Sequence, residues 1–121
     1  MKYLCIFKPA KVDGAPPSQD DIARMGKLIE EGFKTGWIIA TEGCLPEGFC
    51  ARVRRSGGTT TVKDGPFTEA KEVIGGFALI KAASRPEVIE LTKRFMDLAA
   101  DGETEIREIF EMPEDPFAEK K

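Results

Sequence analysis

The feature that most constrains this chain is a mismatch between apolar strand faces and the helices available to cover them. Lys2–Lys8 alternates as a strand with Tyr3, Cys5 and Phe7 on one face and Leu4 and Ile6 on the other. Both faces are apolar, as in strands covered on both sides. Trp37–Thr41 and Val73–Lys81 likewise lack a clean polar face. Only two helices are legible. The first is capped by Ser18, carries Asp20 and Asp21 in its first turn, shows Ile22, Met25, Ile29 and Phe33 at helical spacing and stops at Gly36. The second opens on the capping box Ser84–Glu87 with Pro86 in its first turn. Its stripe is Val88, Leu91, Thr92, Phe95 and Ala99, and Gly102 is read as its stop. Two helices cover one face of a sheet, so the other face needs a partner. A homodimer packed sheet to sheet supplies one.

The remaining elements complete the order. Phe49–Arg55 and Thr59–Lys63 form a hairpin turned at Ser56-Gly57-Gly58. Thr104–Met112 is the last strand, and residues 113–121 form a loose, charged tail. The order is strand, helix, strand, hairpin, strand, helix, strand. This is an α+β, ferredoxin-like split β-α-β with an inserted hairpin. Residues 1–112 are read as one domain, as the length of 121 residues suggests.

Several function classes are excluded at this stage. Net charge is −3, with no basic block and no aromatic RNA-binding signature, so nucleic acid is not an expected partner. No apolar run is long enough to span a membrane, and Lys8 and Pro9 interrupt the N-terminus too soon for a signal peptide. A cytoplasmic protein is expected. Cys5, Cys44 and Cys50 form no close pair and there is no His, so neither a disulfide framework, a zinc site nor any other metal site is expected. The lack of His also removes Ser-His and Cys-His nucleophiles. Gly57-Gly58 sit between strands rather than ahead of a helix, so no phosphate loop and no cofactor are expected.

Asp64-Gly65-Pro66-Phe67, followed by Glu69, Lys71-Glu72 and Gly75-Gly76-Phe77, resembles the signature of the YCII-related proteins, also called DGPF proteins. The resemblance extends over nearly the whole chain. It implies a dimeric α+β barrel. It also permits an accessory role, since DGPF proteins are often associated with alternative sigma factors. Some relatives carry a His on the first helix paired with an Asp. Here that helix reads Met25, Gly26, Lys27 and Leu28 at its middle, so such a dyad does not carry over.

The candidate site residues are therefore charged or phenolic. Asp64 stands at a strand end as a base or ligand acceptor, or as the cap of its own turn. Arg107, on a central-looking strand, holds a small anionic ligand or pairs with a neighbouring acid. Tyr3 and Glu69 are further candidates. Glu69 belongs to a run of alternating charge with Lys71 and Glu72 that also reads as a solvated face. Arg52 shares a hairpin face with Arg54, either toward ligand or toward solvent. Two function classes stand: a small-molecule-binding or cofactor-free enzymatic barrel, and a non-enzymatic accessory protein.

Overall fold

The computed structural model describes residues 1–10, 18–44, 50–65 and 74–111. Eight elements follow in order: β1 (Lys2–Pro9), α1 (Gln19–Thr35), β2 (Ile38–Gly43), β3 (Ala51–Ser56), β4 (Thr59–Asp64), β5 (Gly76–Lys81), α2 (Arg85–Met96) and β6 (Gly102–Glu108). The four-stranded sheet has the order β2-β5-β1-β6, and every neighbouring pair is antiparallel. With the hairpin set aside, this is the ferredoxin-like βαββαβ arrangement. β3 and β4 form a separate two-stranded sheet inserted between β2 and β5. Val73 of the expected strand, Pro66 and Phe67 of the Asp64-Gly65-Pro66-Phe67 signature and the whole tail of residues 113–121 lie outside the described residues.

The helix ends follow local chemistry. The Ser18 hydroxyl accepts from the Asp21 N–H, and Gly36 closes α1 at φ 88°, a conformation that suits a residue without Cβ. The Ser84 hydroxyl accepts from the Glu87 N–H at the start of α2. That helix ends earlier than its sequence suggests, at Met96, with the Asp97 N–H bonded to Lys93 O. Gly102 is not its stop. It begins β6, where an added Cβ would collide with Lys8 O and lie 2.9 Å from Pro9 Cα. The glycine is required by close strand approach, not by a helix cap.

The pleat of β1 divides the sheet as its sequence suggests. Tyr3 and Cys5 are buried on the helix-covered face with Ile38, Ile80, Ala82 and Val88. In register, Tyr3 faces Ile80 and Cys5 faces Ala78 on one side and Ile106 on the other. The apolar stripe of α1 is rotated from the expected one. Leu28 and Gly32 are its buried residues, whereas Ile22 and Phe33 are 56% and 49% exposed. Gly32 lets Ile38 and Trp37 approach the helix axis, since a Cβ there would overlap the Ile38 side chain. This close approach sets the phase of the helix.

The opposite face of the sheet carries Leu4 and Ile6 of β1, in register with Leu79 and Phe77 of β5. Ala40 continues this row on β2, opposite Leu79, with the strand irregular at Ile39. On β6 the same face ends in Arg107 and Glu105, opposite Leu4 and Ile6. No described helix covers it.

Candidate functional site

A cavity of about 340 Å³ lies between the two helices and the covered face of the sheet. Its floor is built by Cys5 and Phe7 of β1 and Ala78 of β5, and its walls by Met25 and Leu28 of α1 and Leu91 of α2. Phe95 closes one side, standing edge-on to Phe7 with ring centroids 5.5 Å apart and planes at 78°. Gly43, Gly75 and Gly76 form its rim at one end of the sheet. The volume and the hydrocarbon lining match those of small-molecule pockets.

Few polar groups reach this space. The Thr92 hydroxyl donates to Val88 O at 2.7 Å and that of Thr41 to Phe77 O at 3.0 Å, so both hydrogens are engaged within the fold. Burial pushes the Cys5 thiol pKa up, and a hydrogen bond with Thr92 partly opposes the shift. The thiol is thus a neutral, weakly polar part of the floor. Glu42 borders the cavity, but in register it faces Phe77, so strand alternation turns its side chain to the uncovered face. The described lining therefore suits a largely apolar guest.

The residues selected from sequence are not gathered around this cavity. Tyr3 is only 2% exposed and packs the core, its hydroxyl directed at Met1 Sδ at 3.8 Å. Asp64 is exposed at the end of β4, in register with Ala51. The Gly65 N–H closes the hairpin base by donating to Cys50 O at 2.7 Å. Arg52 lies on the exposed hairpin, in register with Lys63. Glu69 lies outside the described residues. Arg107 belongs to an edge strand rather than a central one and donates to Glu105 at 2.6 Å. Glu105 also meets Lys8 Nζ at 3.5 Å. The Arg107 hydrogen bond lowers the Glu105 pKa, and the same bond raises that of Arg107. Asp64 and Arg107 thus belong to different sheets, and neither lines the cavity.

What sequence reading missed is a cavity on the helix side of the sheet. Its walls are the helical stripes that read as ordinary core. The one available signal was Gly75-Gly76, since glycines within an expected strand mark a bulge or a close backbone approach. The structure shows a close backbone approach at Gly76, where a Cβ would lie 2.8 Å from Glu42 O, whereas at Gly75 the near neighbour is the Phe7 ring, 3.0 Å away.

No described helix is long and apolar enough to cross a membrane. Among the described residues no cluster of His, Cys, Asp or Glu is placed to hold a metal. The family model of the YCII-related domain matches residues 1–113. The chain belongs to the YCII-related family. An uncharacterized protein of Rhizobium meliloti (strain 1021) is 36% identical over 73 residues, which cover 60% of this chain and 56% of that protein. The chain thus matches little more than half the length of that curated relative. Among solved structures, the 5-chloro-2-hydroxyhydroquinone dehydrochlorinase of Burkholderia phenoliruptrix AC1100, in complex with 2,5-dihydroxybenzoquinone, is similar over 91% of this chain and 94% of its own. The identity is 17% and the TM-score 0.49.

Proposed function

We propose that this YCII-related chain is a small-molecule-binding domain. Its ligand is compact and mostly apolar and occupies the space between the helices and the sheet. The domain acts as a homodimer joined through the uncovered sheet face. The observation that carries the binding role is the 340 Å³ cavity with its hydrocarbon walls and glycine rim. An apolar pocket of this size favours a guest that leaves water without losing hydrogen bonds. A binding role fits this cavity because its described lining includes only two ionisable groups, a thiol shifted toward its neutral form and a Glu42 side chain turned away.

The test is a protein-observed NMR titration with small aromatic probes such as indole and 1-naphthol. The expected result is saturable shifts of the Cys5, Ala78 and Thr92 amides. Ala78→Leu, which fills the floor, should abolish them while the protein stays folded, and Met25→Phe should weaken them from the α1 side. Shifts confined to the outer surface, or binding unchanged in both filled variants, would overturn the assignment.

A further inference from the structure

The hairpin β3–β4 forms a sheet of its own. Among the described residues its strands pair only with each other, and no backbone hydrogen bond ties it to the four-stranded sheet. Every residue from Arg52 to Asp64 is exposed. Val53 and Val62 face one another in register and are 68% and 65% exposed. An isolated two-stranded ribbon is marginally stable in water and gains from a third strand or a covering layer.

Charge indicates where that strand lies. The hairpin carries Arg52, Arg54, Arg55 and Lys63 against the single carboxylate Asp64, in a chain of net charge −3. The opposite sign collects on β6, an edge strand whose exposed Glu103 and Glu108 enter no ion pair among the described residues. Arg54 and Arg55 likewise enter none there. Both β3 and β6 have one edge with no described strand against it. A basic edge and an acidic edge, neither with a described strand against it, are complementary in charge and in hydrogen bonding.

We infer that the β3–β4 hairpin is an arm that adds the outer edge of β3 to β6 of a second copy of this chain. The inference rests on the homodimer proposed above and specifies how it is closed. β2, which leads toward the arm, and β6 are the two opposite edges of the sheet. Face-to-face packing about a two-fold axis parallel to the strands places one copy's β2 edge beside the other's β6. In register, Gly43 at the end of β2 and Gly102 at the start of β6 lie at the same end of the sheet, through Gly76, Phe7 and Pro9. Each arm therefore leaves its own sheet at the end where the partner's acidic strand begins.

Sedimentation velocity on the full chain tests the arm by charge reversal. Arg54→Glu with Arg55→Glu should weaken dimerisation by about tenfold or more at low salt, with a smaller effect at high salt. Glu103→Arg with Glu108→Arg should do the same. All four substitutions in one chain should restore the dimer, and circular dichroism checks that each variant is folded. Hydrogen exchange should show β6 amides protected in the dimer and unprotected in either charge-reversed pair. A dimer indifferent to both pairs, or weakened by them without rescue, would overturn the arm and leave the sheet-face dimer standing. So would an indifferent dimer whose arginines instead retain a labelled oligonucleotide. A wild-type chain that is monomeric at about 100 µM would remove both.

Discussion

At the scale of single residues, the fold depends on places where a side chain is excluded and on one thiol that is kept neutral. Gly76 approaches the β2 backbone so closely that a Cβ would sit 2.8 Å from Glu42 O and 3.3 Å from Gly43 Cα. Neither backbone atom moves without disturbing the β2–β5 ladder. Gly76→Ala is expected to cost about 1–3 kcal/mol, the usual range for overpacking. Urea melts provide the measurement, and an unchanged midpoint would mean that the two strands part freely at this end. Cys5 offers a second reading at this scale. Its thiol pKa is raised above the ordinary 9.0 chiefly by burial. The folded state then holds the proton more tightly than the unfolded state. This contribution is fully present below the unfolded pKa and is lost as pH rises through the folded one. Stability should therefore fall above about pH 9 more steeply in the wild type than in Cys5→Ala. Parallel denaturant melts at neutral and alkaline pH compare the two slopes, and equal slopes would refute the assignment.

At the scale of elements, Ser18, Gly36 and Ser84 marked helix ends because capping is local chemistry visible in a few residues. The β1 pleat was legible for the same reason, since alternation needs no knowledge of neighbours. The phase of α1 was not. Ile22 and Phe33 fit a helical stripe as well as Leu28 does, and the choice is made by Ile38 and Trp37 packing onto Gly32. Trp37 and Ile38 lie beyond the end of the helix, so spacing within the helix carries no trace of that contact. The end of α2 was misplaced because glycine ends helices and also permits close strand contact, and at Gly102 the strand contact applies. The cavity was hidden for a related reason: whether stripe residues meet or leave a gap depends on how far two helices stand apart over the sheet. The rotated stripe makes a sharp prediction. Leu28→Ala should destabilise by about 2–5 kcal/mol, as buried leucines do. Ile22→Ala should cost well under that, about 1 kcal/mol or less for an exposed side chain. Equal losses in thermal melts would restore the stripe expected from sequence.

At the scale of the whole molecule, the sheet face that no described helix covers is the proposed site of dimerisation. Leu4, Ile6, Phe77 and Leu79 form two facing pairs in register on the two central strands. Glu105 and Arg107 of β6, with Lys8 of β1, border them as an ion cluster. An apolar centre beside a charged margin is the layout of a specific interface, with anchors in the middle and water at the rim. In a monomer this patch would face water and favour nonspecific association. In the proposed homodimer a second copy would present the same patch and cover it by symmetry. Leu79→Lys places a charge at the middle of the proposed contact, where it would be buried without a partner. In the monomer the same lysine extends into solvent at little cost. The variant is therefore expected to keep its melting behaviour at high dilution while dimerisation weakens by about a hundredfold or more, a loss of the size expected for burying an unpaired charge. Light scattering across a concentration series separates the two effects. A Leu79→Lys protein that dimerises like the wild type would place the interface elsewhere, the outer faces of the helices being the remaining broad surface.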